Sequence, residues 1–468
     1  MCVLARLAFH PTIGVNLNML RLFLPLLLLF AGVNIVSAQN ATQTYTAVVD
    51  AGSSGTRLYF FKVTAGAYPN YEFIVKYENK VSPSPGNLDP DDGIDNYVCN
   101  TNPFYDKSKI NIQVMNSLWQ SLKGKATELN VAPQDIVVKV FATAGMRTAA
   151  EQCGQPAVDN LYKSILNGMK ATEFGFTNVQ NEARTIEGGE EAIWSWVNVN
   201  DVYQNSFNNP TKAAGTAVGA PVGILEVGGS SIQIAYPVST VTRPNTYNVK
   251  VNNKSFNVFG ISYLHLGQDD VRKNLRLSQS NSHRSSQNSP TYGHPEYCWA
   301  KGFGHVNDLG ENGDTRYPLI NADGSYTSPN NPICYNFMTS EISRIMTIDP
   351  QVQNTSVNFV GVSGITYTLR DFGQTSTPSQ LPTAVIQKCS SGIASWTGID
   401  TNASLQRACP NGTYISALLQ DPAVGIFKSK PNQFTKALVE QSSSGGAGDV
   451  PNGSLSWIYG YLLVKYTQ

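Results

Sequence analysis

Apolar residues along this chain fall into short runs separated by polar stretches rich in glycine, serine and asparagine. Thr46–Val49, Leu58–Val63 and Phe73–Tyr77 predict strands, as do Ile136–Phe141, Val222–Leu225 and Ile232–Tyr236. Helical spacing takes over elsewhere. Ile110, Val114, Leu118 and Leu122 recur near a 3.6-residue period across Lys107–Leu129, and Thr185–Val197 predicts another helix. Strands alternating with helices argue for an α/β protein. Between them, Gln204–Pro221 is a polar Gly/Pro-rich insertion, Ser278–Pro290 is of low complexity, and Thr375–Pro382 and Gln441–Pro451 are linkers.

The first apolar run has a different meaning. Leu22–Ala31 is led by Arg21 and followed by Val36-Ser37-Ala38, the order of a secretory leader with its small-residue cleavage site. A start at Met19 would make that leader compact, and cleavage is expected near Ala38–Gln39. The run is short against the ~20 residues of a membrane span, and Tyr459–Val464 is shorter still. The expected location is therefore extracellular, or the secretory lumen or periplasm according to host, with no stable membrane span after cleavage.

Composition narrows the partners. The 468 residues carry 33 basic and 33 acidic side chains, a formal net charge of zero, and only 14% are charged, against an ordinary ~25%. That excludes a basic nucleic-acid binder and a disordered acidic chain. Of seven cysteines, Cys2 leaves with the leader; the remaining six are even in number and form no C-x-x-C, which suits disulfides rather than zinc. Proximity along the chain suggests Cys99–Cys153, Cys298–Cys334 and Cys389–Cys409. Glycosylation sequons stand at Asn40, Asn253, Asn354, Asn402, Asn411 and Asn452.

One internal repeat decides the chemistry. Val49-Asp50-Ala51-Gly52-Ser53-Ser54 and Leu225-Glu226-Val227-Gly228-Gly229-Ser230-Ser231 each place a carboxylate at a strand end, glycine two residues on, and hydroxyls after that. Glycine lets backbone N–H groups turn toward an anion and serine adds donors. A carboxylate beside a phosphate is repulsive unless a cation lies between. Two such turns predict phosphate and metal in a cleft between two similar lobes. No P-loop signature, no G-x-S-x-G and no H-E-x-x-H occurs.

At these residues the chain resembles the apyrase, or nucleoside triphosphate diphosphohydrolase, family. Val49-Asp50 through Arg57 is similar to its first signature region, Ala142-Thr143-Ala144-Gly145-Met146-Arg147 to the second, Glu191 with Trp196 and Asn200 to the third, and Gly228 through Gln233 to the fourth. Phe359–Tyr367 with Cys409–Leu419 resembles the fifth more loosely, and Ser456-Trp457 with Gly460 and Leu463 the C-terminal segment. The resemblance implies the actin-like, RNase H-like fold of two lobes around a nucleotide cleft. Its boundaries would be a leader over 1–38, lobe I over 39–180 plus 436–468, and lobe II over 181–435. The family's fourth region usually opens with Asp. Here Glu226 stands in its place and carries its carboxylate ~1.5 Å further. The arginine some members use near the base has no clear counterpart before Cys409.

The implied activity is release of the terminal phosphate from nucleoside tri- and diphosphates by a monomeric enzyme using Ca²⁺ or Mg²⁺. An exopolyphosphatase or guanosine-pentaphosphate phosphatase on the same fold is the alternative, and a non-catalytic nucleotide binder the third reading. Ser53, Ser54, Gly55 and Thr56 are assigned to one phosphate loop and Gly228, Gly229 and Ser230 to the other. Asp50 and Glu226 are expected to hold the cation through water, Thr143, Ser231 and Gln233 to orient the attacking water, and Tyr367 to stack on the base. Arg57 and Arg147 are charge supports or structural ion pairs. Glu182, Glu187, Glu190 and Glu191 compete as general base. A helix over Thr185–Val197 with Ile186, Ile193 and Val197 inward turns Glu191 and Glu187 away from the core. The family register then favours Glu191.

Overall fold

The computed structural model describes residues 43–53, 55–79, 93–99, 107–239, 244–275, 298, 332–348, 352–353, 355–391, 396, 401–443 and 447–468. The leader, Ser54, Ser278–Pro290 and the sequons at Asn40 and Asn354 lie outside the described residues, as does the side chain of Asn402.

Two sheets share one design. The first is built from β1 (Gln43–Gly52), β2 (Gly55–Thr64), β3 (Asn70–Asn79), β4 (Ile136–Ala142) and β5 (Glu182–Thr185), in the order β3-β2-β1-β4-β5. The second uses β6 (Gly223–Val227), β7 (Ser231–Val238), β8 (Thr246–Val251), β9 (Lys254–Leu264), β10 (Phe359–Ser363) and β11 (Phe434–Ala437), in the order β11-β10-β6-β7-β9-β8. Read from the centre outward, both run antiparallel on one side (β1-β2-β3, β6-β7-β9) and parallel on the other (β1-β4-β5, β6-β10-β11). Strand β8 is an added edge. The repeated turn thus follows the central strand in each sheet, where open α/β sheets bind ligands. The α/β class with two related sheets is as expected.

Both faces of these central strands are buried, which explains their continuous apolar runs. Ala47 and Val49 of β1 join one core with α1 (Asn116–Glu128), α2 (Ala144–Cys153) and α3 (Gln155–Lys170). Leu225 and Val227 of β6 join another with α5 (Pro332–Ile345), α6 (Gly364–Asp371), α7 (Leu381–Ser390) and α8 (Thr401–Gln420). Val48, Ile224 and Ala235 face a third, filled by α4 (Gly188–Val202) and α9 (Trp457–Tyr466). Trp194, Trp196 and Trp457 all belong to that shared core.

Three expectations need correction. Lys107–Leu129 is not one uniform α-helix: residues 111–115 make a π-helical turn ahead of α1. Its buried face is made by Ile110, Val114, Met115, Leu118, Trp119, Leu122 and Ala126. Thr185 ends strand β5 rather than opening a helix, because it pairs with Ala142. The linker at Thr375–Pro382 already contains the start of α7. The disulfides pair Cys99–Cys153, Cys298–Cys334 and Cys389–Cys409, as proximity suggested.

Candidate active site

The first turn joins β1 to β2 across Ser53, with Gly52 opposite Gly55. Gly55 sits at φ 135°, which glycine alone adopts freely. Thr56 is buried behind it. The second turn joins β6 to β7, and a Cβ on Gly229 would lie 3.0 Å from Ser53 Oγ, so the two turns face each other at close range. The carbonyls of Gly228, Gly229 and Ser230 accept from the amides of Gln268, Asp269 and His265 at 3.0, 2.9 and 2.7 Å. The neighbouring segment thereby engages the acceptors of this turn, which suits a loop whose task is to hold an anion. Gly267 makes the approach possible, since a Cβ there would fall 2.1 Å from Gly229 O. Residues 265–270 carry no motif in the sequence; Gly267, between Leu266 and Gln268, is their only hint of a close backbone approach.

Both turns line a cavity of about 170 Å³, together with Asp50, Thr143, Glu191, Glu226, Ser231 and Trp457. Thr143 leaves β4 as the cap residue of α2, and Arg147 stands one turn later. Arg147 donates to Glu191 Oε2 at 2.9 Å, to Ser231 Oγ at 3.3 Å and to the Ile186 carbonyl at 3.0 Å. Gln233 donates to Ser231 Oγ at 2.6 Å. Burial pushes the Glu191 carboxyl up, while Arg147 and Gln233 favour its ionised form.

The rival glutamates are occupied. Glu182 pairs with Lys139 and Arg184, both at 2.7 Å. Glu190 takes Arg184 on both oxygens and accepts from the Glu187 amide. Glu187 completes a capping box at the start of α4. The periodicity argument behind Glu191 does not hold, however. From Glu191 to Asp201 every residue of α4 is buried, so the helix has no polar face to read.

Asp50 and Glu226 have their carboxyls pushed up to about 6 and about 7. Desolvation dominates both. For Asp50, Arg57 opposes it and Glu191 adds to it; for Glu226, Glu191 and then Asp50 add to it while Ser195 and Ser363 oppose it. Three carboxylates around one cavity with Arg147 and Arg57 beside them leave an anionic donor set, which suits a divalent cation. Among the described residues no three His, Cys, Asp or Glu side chains cluster closely enough to hold an ion directly. Arg57 donates to Glu78 at 2.8 Å and lines the cavity wall.

A larger cavity of about 820 Å³ shares Arg57, Gly228 and Gly229 with the first. Tyr367 lies in its wall, 57% exposed, with the Arg370 guanidinium 5.1 Å from its ring. Arg370 and Arg407 both line this space. Arg407 stands two residues before Cys409.

Among the described residues no helix is long and apolar enough to cross a membrane. The chain is 26% identical over 286 residues to "Probable apyrase 4" of Arabidopsis thaliana, covering 59% of this chain and 50% of that protein. It is 24% identical over 360 residues to "Nucleoside-triphosphatase ntp-1" of Caenorhabditis elegans, covering 73% and 58%. The chain thus spans about half the length of these relatives. A solved nucleoside triphosphate hydrolase of Neospora caninum shares the fold over 97% of both chains, with TM-score 0.52 and 15% identity. The GDA1/CD39 (nucleoside phosphatase) family model matches residues 36–422, most of the chain. With its two turns, its buried carboxylates and that match, the protein belongs to the GDA1/CD39 nucleoside phosphatase family.

Proposed function

We propose that this protein is a secreted, monomeric apyrase that releases the terminal phosphate of nucleoside tri- and diphosphates by attack of a water activated by Glu191. The observation that carries the reading is the meeting of both Gly-Ser turns with Glu191, Thr143 and Ser231 around one cavity beside a nucleoside-sized one. Lobe I comprises 39–180 plus 436–468 and lobe II 181–435, with the leader removed near residue 38.

Ser53, Ser54, Gly55 and Thr56 cradle one phosphate, and Gly228, Gly229 and Ser230 the next. Asp50 and Glu226 would hold a Ca²⁺ or Mg²⁺ ion through its water, and that ion would supply neutralisation of phosphate charge. Thr143, Ser231 and Gln233 orient the nucleophile. Glu191 takes the proton as the water oxygen bonds to phosphorus and the bridging P–O bond breaks, and Arg147 keeps that carboxylate ionised until then. Tyr367 supports the base from the cavity wall, with Arg370 and Arg407 beside it. A polyphosphate chain has no use for the exposed Tyr367 ring, which favours the nucleotide over the polyphosphatase alternative.

The test is phosphate release by the full chain from ATP, ADP and polyphosphate, with and without excess EDTA. ATP and ADP should be hydrolysed, EDTA should abolish release, and Ca²⁺ or Mg²⁺ should restore it. Hydrolysis of polyphosphate alone, or undiminished turnover in EDTA, would overturn the reading.

A further inference from the structure

Both oxygens of Glu226 are held by serine hydroxyls. Ser195 Oγ donates to Oε2 at 2.5 Å, and Ser363 Oγ donates to Oε1 at 2.9 Å. The donors arrive from different directions. Ser195 is buried on α4, one turn beyond Glu191. Ser363 ends β10, the strand paired beside β6, and opens onto the larger cavity. Its backbone sits at φ 63°, where a non-glycine residue is seldom found and where strain collects at functional sites.

We propose that Ser195 and Ser363 are positioning residues that fix the Glu226 carboxylate toward the water shell of the divalent cation. This rests on the metal-assisted reading above. A glutamate has one more rotatable bond than an aspartate, so a free Glu226 head would swing. Two hydroxyls from two elements fix both oxygens and remove that freedom. A carboxylate accepts at about four sites, so one serine on each oxygen leaves acceptor capacity for cation-bound water. Ser363 also couples the two cavities: the residue that clamps Glu226 is itself part of the wall of the larger one.

Ser195→Ala, Ser363→Ala and Ser363→Gly in the full chain provide the test. Mn²⁺ binding to the chain, with no nucleotide added, is followed by the loss of the free-ion EPR signal. Metal half-saturation of turnover is measured beside it. Each variant should raise the half-saturating metal concentration about tenfold or more, with a much smaller change in kcat. Ser363→Gly relieves the backbone while removing the hydroxyl, so it should match Ser363→Ala; recovery to wild-type metal affinity in the glycine variant would overturn the role of the hydroxyl. Normal turnover with unchanged Mn²⁺ affinity in all three variants would overturn this proposal alone. A wild-type chain that releases no phosphate from any nucleotide, while the variants still lose Mn²⁺ affinity, would sink the nucleotidase reading and support this one.

Discussion

Glu182, Glu187, Glu190 and Glu191 are nearly neighbours in the chain, yet each has a different fate. The first three are engaged by Lys139, Arg184 and the first turn of α4, which leaves Glu191 as the one that lines the small cavity. Glu191→Gln keeps the shape and the Arg147 contact but removes the base. Turnover of ATP should fall by about 10²–10⁴-fold with nucleotide binding retained. Glu187→Gln weakens only a helix cap, at a cost of about 1 kcal/mol or less in unfolding, and should turn over ATP near the wild-type rate. If the two results are exchanged, the assignment is wrong. At this scale the place of Glu191 on the cavity was legible only through the family register that aligns Trp196 and Asn200. Periodicity carried no information, because a helix buried on every side gives no hydrophobic stripe. Ser195 and Ser363 were not legible either, since nothing in a lone serine announces which carboxylate it meets.

Among elements, α4 carries both the candidate base near its start and a buried acid near its end. Asp201 is fully buried, accepts from Tyr68 at 2.9 Å and from Asn209 at 3.1 Å, and has its carboxyl pushed up to about 6 by desolvation. The folded chain therefore holds this proton more tightly than the unfolded chain does. The cost of ionising it is absent below about pH 4, grows as pH rises to about 6, and stays constant above. Asp201→Asn should remove that cost. Relative to wild type, the variant should gain on the order of 2–3 kcal/mol between pH 4 and pH 7 in urea unfolding. A difference flat across that range would refute the assignment. Strands were more legible than helices: β1, β2, β3, β4, β6 and β7 stand where apolar runs predict them, while β5, β8, β9, β10 and β11 were not expected. The segment 204–221 was misjudged in one respect. It is polar as expected, but Phe207 within it is fully buried against Trp196 and Phe256 at 6.0 and 5.6 Å. A single aromatic anchor turns an insertion into part of the central core.

Across the whole molecule, the duplicated sheet order was foreshadowed by the duplicated turn, because each turn can exist only after the central strand of its own sheet. The packing of α9 had no such signal. This helix crosses α4 so closely that a Cβ on Gly460 would lie 1.8 Å from the Trp194 carbonyl oxygen. The Ser456 amide at its cap donates to Asn198 of α4, across 258 positions of sequence. Order of synthesis then matters. A ribosome adding ~5–20 residues per second leaves α4 without its cover for roughly 13–50 s after it emerges. Until residues 457–466 follow, the side of α4 that α9 covers is bare. A chain ended after Ser456 should be cut within α4 by limited proteolysis and should release no phosphate. Wild-type resistance and turnover in that truncation would show that α4 settles without its cover. Because Trp457 of α9 lines the small cavity beside Glu191, Glu226 and both turns, that cavity is complete only once α9 has joined α4.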